Sequence, residues 1–203
     1  MPDVLKQRLQ ECTDTESVLA CALSRTLELS GTELGNIQLM DWSTGELAIA
    51  AQHGFDDEFL NFFRRVRAED GSACGRVLRT RRPVAIVDVL FDPEYVPCRA
   101  AALKAGFRAV RSAPLISDGG ELVGVLSTHF ATAHRSDSSE IELMQRVAEL
   151  TANAIVYHRA RVRLTDGRPM TDIEKLAEQT RKGLEAMARF DDLTGGAPRR
   201  DEP

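Results

Sequence analysis

Two cysteines of this sequence, Cys74 and Cys98, have the surroundings that thiol chemistry would need. Cys74 lies in the stretch EDGSACGRVLRTRRPVAIVDV, residues 69–89, between a glycine-serine turn and an expected helix start. A helix start and the nearby Arg76 would both favour a thiolate. The pair could act as nucleophile and resolving thiol, or as a redox sensor. The alternative is structural: Ser72 caps the helix, and Cys74 packs as a small apolar residue facing a pocket.

Two histidines, His129 and His134, raise the question of a metal site. They lie an odd number of positions apart on one expected strand, so they point to opposite faces and sharing one metal would need a bulge. The alternation of that strand puts Ser127 and His129 on the same face, which we expect to line a cavity. A hydrogen-bonded core histidine is the alternative.

Four further polar residues are candidates for a ligand site: Asp88, Tyr95, Arg99 and Arg108. A small-ligand site is a mostly apolar cleft with a few polar groups, and these residues follow or precede apolar segments. Each could equally be a surface residue or an anchor of a loop. We find no phosphate-cradling glycine loop and no G-x-S-x-G elbow.

The overall composition is that of a globular protein. The chain has 203 residues, of which 43% are hydrophobic and 28% charged, and its net charge is -5. The acidic balance argues against nucleic acid or anionic membranes as partners. No apolar run approaches the ~20 residues that span a membrane, and the start lacks a signal peptide's apolar stretch. We therefore expect a cytoplasmic protein with free thiols.

The pattern of elements predicts an α+β fold. The first thirty or so residues are predicted to be helical, with Asp14 or Thr15 as the cap of the helix start. They are followed by two strands around STG, short helices, one strand, another helix, two strands around SDGG and a long helix. Strands joined by tight turns form an antiparallel sheet. The N- and C-terminal helices should cover one face, and the middle segments should cover the other.

Four stretches together resemble a bacterial GAF domain, over roughly residues 15–160: GELAIAAQHGF, AEDGSACGRVLRTRRPVAIVDV, FDPEYVPCRAAALKAGFRAVRSAPLIS and GELVGVLSTHF. The resemblance implies five or six antiparallel strands with a small-molecule pocket under the middle loops and helices. Most GAF domains sense ligands or dimerise, and few are enzymes. The N-K-x-F-x-D-E pattern of the cyclic-nucleotide-binding members and the chromophore-attaching cysteine patterns of phytochrome relatives do not occur here. Neither cyclic GMP nor bilin is therefore expected.

We accordingly predict a GAF-type sensory domain over residues 1–160 and a helical extension with a flexible tail over residues 161–203. The domain is expected to bind a small molecule of unknown identity, to use no identified cofactor or metal, and to perform no catalysis. The predicted ligand-binding residues are Phe63, Cys74, Asp88, Tyr95, Arg99, Arg108, Ser127 and His129.

An enzyme is the main alternative. Free methionine-(R)-sulfoxide reductases carry a G-x-C-G element and a later cysteine on a GAF fold, and Cys74 and Cys98 are similar to that arrangement. Acidic residues after the catalytic cysteine hold the substrate amine in that family. Here no carboxylate lies between Cys98 and Ser117. A thiol redox sensor and a structural dimerisation domain without ligand are the other readings.

The terminal helices carry apolar stripes that favour a homodimer. From about residue 140, Leu143, Val147 and Leu150 belong to one stripe, and a second runs beside it. One stripe can cover the sheet, and self-association would bury the other. Such helices could pass a signal to a partner protein. DDLTGGAPRR, residues 191–200, resembles the opening of GGDEF domains, as a remnant or by chance, and no cyclase activity is expected.

Overall fold

The computed structural model of the chain describes residues 2–165, and it has the predicted alternation of helices and strands. The helices are α1 (Pro2–Glu11), α2 (Thr15–Ser30), α3 (Asp57–Phe62), α4 (Ala73–Thr80), α5 (Arg99–Lys104) and α6 (Ser138–Thr165). The strands are β1 (Leu34–Asp41), β2 (Glu46–His53), β3 (Arg65–Val66), β4 (Val84–Ile86), β5 (Ala109–Ile116) and β6 (Leu122–Phe130). The predicted α+β class is confirmed.

The six strands form one antiparallel sheet in the order β3-β2-β1-β6-β5-β4. The two predicted hairpins, β1–β2 and β5–β6, lie side by side because β1 pairs with β6 at the centre of the sheet. Both central strands have neighbours on each side. Their side chains are therefore enclosed by whatever covers the two faces of the sheet.

The expected N-terminal helix is two helices, because Asp14 starts a new one. Its side chain accepts a hydrogen bond from the Ser17 backbone N–H at 2.8 Å, and the Ser17 hydroxyl accepts one from the Asp14 backbone N–H at 3.3 Å. This reciprocal cap satisfies donors that a helix start leaves unpaired. Gly31, with φ of 61°, ends α2 in the left-handed conformation that suits glycine.

One face of the sheet packs against α1, α2 and α6, and we call the apolar residues between them the helix-side core. It is built from aliphatic side chains with no aromatic ring. Its buried members are Leu5, Leu9, Val18, Leu19, Ala22, Leu23, Leu27, Ile37, Ala113, Leu115, Val123, Leu126, Met144, Val147, Ala148, Ala152, Ile155 and Val156.

The opposite face packs against α3, α4, α5 and the loop before α5, and we call its apolar residues the cavity-side core. Aromatic rings dominate it. Its buried members are Leu47, Phe55, Phe59, Phe63, Val66, Ala73, Cys74, Val77, Ile86, Val89, Tyr95, Cys98, Ala102, Phe107, Val110 and Val125. Helices at the two ends of the chain thus cover one face and middle segments the other, as predicted.

The long helix α6 continues past residue 160, where we expected the domain to end, and is described as far as Thr165. The rest of the predicted extension, including the GGDEF-like stretch, lies outside the described residues. In the part of the chain that the structure describes, no helix combines the length and the apolar character needed to cross a membrane.

Candidate functional site

A small cavity lies between the sheet and the segments that cover its aromatic side. The segments around it are β1, β5, β6, α3, the start of α4 and the loop before α5. The residues that line it are Asn36, Gln38, Phe59, Phe63, Ser72, Ala73, Cys74, Tyr95, Val110 and His129. The cavity has a volume of about 10 Å³, which is room for roughly one water molecule in this closed form.

The pairing of β1 with β6 brings the polar residues of the cavity together. Asn36 and Gln38 alternate with Ile37 on β1, so both point to the cavity side while Ile37 enters the helix-side core. Leu34 pairs with His129, which puts His129 on the same face. Three hydrogen-bonding side chains from the two central strands therefore converge on one small space.

Three polar atoms of this group have no hydrogen-bond partner among the described protein groups: Asn36 Oδ1, Gln38 Oε1 and His129 Nδ1. All three side chains are at least 97% buried. A buried polar group without a partner costs about 1–3 kcal/mol, so native proteins rarely keep one. Three such atoms around one cavity indicate that hydrogen bonds could form there with a molecule that enters it.

The amide of Gln38 has a defined orientation. Its Nε2 donates to the backbone carbonyl of Phe63 at 3.4 Å, which leaves Oε1 on the cavity side as an acceptor. Phe63 follows α3, so this bond also connects the central strand to the segment that covers the cavity.

His129 is neutral because it is buried among aromatic rings. Burial lowers its pKa from 6.5 to about 3. The ring of Phe107 meets it edge-on, with 4.6 Å between the centroids, and that of Phe55 at 4.9 Å. The backbone of Leu34 favours the protonated ring, as a carbonyl that accepts a ring N–H does. With that N–H engaged, Nδ1 of the neutral ring is an acceptor.

Aromatic rings fill most of the space that the GAF resemblance led us to expect as a pocket. Phe55 and Phe59 stack with centroids 3.7 Å apart, and Phe63 lies 4.7 Å from Phe59. Phe62 of the same helix points away and is 52% exposed. The rings of Phe59 and Phe63 therefore close the cavity, and they would have to move before anything larger than water could enter.

The DGSACG segment of the sequence positions Cys74 through its turn. The Asp70 carboxylate accepts from the Arg67 backbone N–H at 2.8 Å, and Ser72 caps α4 by accepting from the Gly75 N–H at 3.0 Å. Gly71 has φ of 71°, and a Cβ there would lie 2.2 Å from the Glu94 carbonyl oxygen. The predicted cap at Ser72 is confirmed.

Cys74 is a protonated thiol in this environment. Its Sγ lies 3.3 Å from Ser127 Oγ, which in turn is 2.7 Å from Ser112 Oγ. Complete burial raises the pKa of Cys74 more than these hydroxyls lower it. The favourable position at a helix start is thus outweighed by loss of solvent.

Cys98 is also held as a thiol. Its Sγ donates to the Asp70 carbonyl at 3.6 Å. Burial is the main cause that raises its pKa to about 11, and the nearby Asp70 adds to it. Both sulfurs thus lack the stabilised thiolate that nucleophilic or redox chemistry requires.

The loop that carries Tyr95 into the cavity is fastened at several points. Arg76 of α4 makes a two-bond ion pair with Asp92, including Nη1 to Oδ2 at 2.9 Å. The same carboxylate accepts from the backbone N–H groups of Glu94 and Tyr95, at 3.0 and 3.1 Å. The side of the cavity formed by this loop is therefore rigidly anchored.

Three of the predicted ligand-binding residues serve this loop and do not reach the cavity. Asp88 is paired with Arg108 through two hydrogen bonds, one of them 3.0 Å long from Nε. Arg99 donates from Nε to the Val89 carbonyl at 3.1 Å and from Nη2 to the Asp92 carbonyl at 3.5 Å. They act as loop anchors, the alternative that we considered from the sequence.

The other five predicted residues lie at or beside the cavity. Phe63, Cys74, Tyr95 and His129 line it, and Ser127 contacts the Cys74 sulfur directly behind the wall. The sequence analysis missed Asn36 and Gln38. Their signal was available: two polar residues alternate with apolar ones on a strand that turns out to be central.

The histidines do not converge on a metal. His134 stacks on Phe130, with centroids 4.0 Å apart, and its Nε2 lies 3.1 Å from Glu140 Oε1. His129 points into the cavity on the other face of the sheet. Within residues 2–165 no group of three or more His, Cys, Asp or Glu side chains could hold a metal ion.

Comparison with known proteins agrees with this architecture. The GAF domain of a phosphoenolpyruvate-protein phosphotransferase from Coxiella burnetii superposes with a TM-score of 0.67 at 20% identity, covering 79% of this chain and 94% of that one. A free methionine-R-sulfoxide reductase from Neisseria meningitidis, in complex with its substrate, gives a TM-score of 0.65 at 20% identity, covering 79% and 89%. At these identities, both comparisons show the fold alone.

Sequence comparison identifies the family. A methyl sulfide methyltransferase-associated sensor from Methanosarcina acetivorans is 23% identical over 155 residues, which are 76% of this chain and 16% of that protein. The chain thus spans about a sixth of that relative. The sequence profile of the GAF domain family matches residues 12–156, well over half of the chain. The chain belongs to the GAF domain family.

Proposed function

We propose that this GAF domain reversibly binds a small molecule in the cavity beneath its sheet and acts as a non-catalytic sensing module in signal transduction. The observation that carries the proposal is the set of three unpaired polar atoms, on Asn36, Gln38 and His129, facing a space closed by aromatic side chains. A core made only for stability would have apolar residues at these positions, because unpaired buried groups lower stability.

The two sides of the cavity are fastened differently, which favours opening at α3. The loop carrying Tyr95 is held by several buried or half-buried hydrogen bonds. Outside its ring contacts, α3 is held by the 3.4 Å bond from Gln38 to the Phe63 carbonyl and by an ion pair between Glu58 and Lys104, whose side chains are each 62% exposed. Exposed pairs contribute little to stability. A ligand would therefore enter by displacing Phe59 and Phe63.

A path from the cavity to α6 runs through β5. Val110 lines the cavity, and the next residue, Arg111, points to the helix side. There its Nη1 lies 3.4 Å from Glu140 Oε1 in the first turn of α6, and Nη2 donates to Ser30 of α2 at 2.9 Å. Movement of β5 on ligand binding would thus reach the terminal helices, which could act on a signalling partner.

We also propose that the domain forms a homodimer through these helices, in the cytoplasm. Leu143, Leu150 and Ala154 of α6 are only partly buried, and Val4 of α1 is 52% exposed. Association would remove this apolar surface from water. The four cysteines are all free, which fits a reducing compartment.

Native mass spectrometry of gently purified protein tests ligand binding. We expect a bound small molecule that is lost on denaturation and is absent from Ala73→Leu, which fills the cavity. The control is Ala20→Leu on the exposed side of α2, which should keep the molecule. If no preparation carries a molecule and no added compound shifts the melting temperature, the structural dimerisation reading replaces ours.

The enzyme alternative has its own assay. Incubation with free methionine-(R)-sulfoxide, thioredoxin and a reductant should give no turnover, because both thiols are buried and protonated. Turnover that Cys98→Ser abolishes would overturn the non-catalytic assignment. Thiol counting before and after mild oxidant separates the redox reading, since bystander thiols keep their number while the protein stays folded.

Sedimentation velocity tests the dimer. Leu150→Glu would place a charge in the proposed interface and should shift the protein to monomer at micromolar concentration. Glu149→Gln, an exposed neighbour on the same helix, should leave the dimer intact. A monomeric wild-type protein at these concentrations would contradict the proposal.

A further inference from the structure

We propose that the molecule taken into the cavity is uncharged, carries at least two N–H or O–H donors, and presents them to Asn36, Gln38 and His129 from a flat, ring-sized body. This inference rests on the proposed function and specifies the ligand's chemical class. It follows from the hydrogen-bonding sense of the unpaired atoms, from the charges around the cavity and from the shape of its wall.

The unpaired atoms are acceptors. Gln38 Oε1 is fixed as the cavity-facing atom because Nε2 is bonded to the Phe63 carbonyl. Asn36 Oδ1 lies on the same face of β1, two residues away, and is also a carbonyl oxygen. Nδ1 of the neutral His129 ring is the third acceptor. Three acceptors are complementary to a ligand that donates, such as an amide, a urea or a ring bearing N–H groups.

The cavity offers no countercharge. Among the described residues that line it there is no Asp, Glu, Lys or Arg. Two charged pairs of the neighbouring segments lie outside it, where Arg76 pairs with Asp92 and Arg108 with Asp88. A carboxylate, a phosphate or an ammonium group would lose its water here without gaining an ion pair. Ionised ligands, including zwitterionic amino acids, are therefore excluded on energetic grounds.

The wall favours a flat ligand of limited size. Phe59, Phe63 and Tyr95 present ring surfaces, and Val110 with Ala73 contributes small apolar contacts. If the ligand takes the place of the Phe59 and Phe63 rings, the space gained is that of one or two six-membered rings. Stacking on the remaining aromatic groups would hold such a body while its donors reach the acceptors.

A fragment screen by ligand-observed NMR, run on the full chain, tests the proposal. The library has three sets matched in size: flat uncharged compounds with two or more N–H or O–H donors, such as benzamide and benzimidazolone; uncharged compounds without donors, such as methyl benzoate; and ions, such as benzoate and benzylammonium. We expect binding to be confined to the first set. The best compound should bind Gln38→Met about three- to tenfold more weakly, the effect of one lost hydrogen bond.

Two controls distinguish the possible failures. Gln145→Met, on the exposed face of α6, should leave affinity unchanged. Chemical shift changes at Cys74 and Val110 should identify the cavity as the binding site. Binding of ions or of donor-free compounds there would overturn the ligand class but keep the sensing function. If no compound of any set perturbs the cavity residues, and a single bound water accounts for the three acceptors, both proposals fail.

Discussion

The two faces of the sheet have cores of different composition, aliphatic on the helix side and rich in aromatic and polar residues on the cavity side. On the helix side, Leu126 and Ile155 are completely buried among other aliphatic side chains, and Thr151 satisfies its hydroxyl by donating to the Val147 carbonyl at 2.7 Å. On the cavity side, aromatic rings surround Gln38 and His129, whose polar atoms lack protein partners. The same strands supply both faces, because successive residues alternate between them.

This difference indicates how stability and function are divided. The helix side also has two buried polar atoms without a partner among the described protein groups, Thr128 Oγ1 and Arg111 Nε, but they lie on one pair of neighbouring residues and do not line the cavity. Its aliphatic core can provide most of the folding free energy. The cavity side keeps polar groups that lower stability while they are unpaired. A bound ligand that pairs them would restore that stability. Functional sites in other proteins break local packing rules in the same way. The two faces should therefore respond differently to mutation.

Truncation on the helix side should give the largest effect. Ile155→Ala removes a side chain with no solvent exposure from the centre of α6. The lost transfer energy and the remaining cavity should lower the free energy of unfolding by about 2–5 kcal/mol. Urea denaturation followed by circular dichroism measures it. Leu103→Ala, at a site 46% exposed, is the control and should change stability by less than about 0.5 kcal/mol. If Ile155→Ala and Leu103→Ala lowered the free energy of unfolding equally, the helix-side core would not be the main source of stability.

Lowering the pH should reduce the stability of the protein through His129 on the cavity side. The unfolded chain binds a proton at His129 below pH 6.5, and the folded chain does so only below about pH 3. In this window the unfolded state holds more protons, so stability present above pH 6.5 is lost as pH falls. The loss should be about 1 kcal/mol per pH unit between pH 6 and 5.

The comparison of His129→Leu with Ser127→Ala isolates that effect. Unfolding titrations at several pH values should have a smaller slope in His129→Leu, and the wild-type slope in Ser127→Ala. Some slope remains in both, because burial also lowers the pKa of His158. An unchanged slope in His129→Leu would mean that His129 is protonated in the folded protein, and the acceptor role of Nδ1 would be wrong.

Arg111 is a buried charge on the helix side, and its pairing with Glu140 is a smaller test. Arg111 has a 4% exposed side chain, lies over the Phe130 ring at 5.5 Å, and pairs with Glu140, which is 31% exposed. Glu140→Gln leaves the guanidinium without its carboxylate and should cost about 1 kcal/mol, less than a fully buried pair because water reaches Glu140. Glu149→Gln, in an exposed pair with Arg146, should cost at most a few tenths. Equal costs would show that Arg111 is effectively solvated.

The fold was predictable because its signals are local. The STG and SDGG turns fixed both hairpins, and Ser72 fixed the start of α4. The terminal helices were predicted as the cover of one face, and they are. The cap at Asp14 was predicted, and the structure confirms it. What the pattern did not predict was the separate helix α1 before that cap, because the sequence predicts one helical segment over the first thirty or so residues.

The site was predictable only in part, because it depends on which strands are central. Cys74, Tyr95 and His129 were identified from their surroundings in sequence. Asn36 and Gln38 were not predicted, because their burial follows from the β1–β6 pairing that makes their strand internal. Arg99 and Arg108 were predicted as ligand-binding residues, and the structure places their guanidinium groups on loop carbonyls and on Asp88, away from the cavity.

Removing one unpaired group should raise the free energy of unfolding, whereas most core mutations lower it. Gln38→Met keeps the length of the side chain, removes the Oε1 acceptor and gives up only the long bond to Phe63. We expect the free energy of unfolding to rise by about 0.5–1 kcal/mol, because the cost of an unpaired group is larger than the value of one weak hydrogen bond. The same substitution at exposed Gln145 should change it by less than that. If Gln38→Met gains stability and loses ligand binding, Gln38 is present for function and not for stability.

A destabilised Gln38→Met protein would instead mean that the amide is paired in the folded state and stabilises the core. Both faces of the sheet would then serve stability alone.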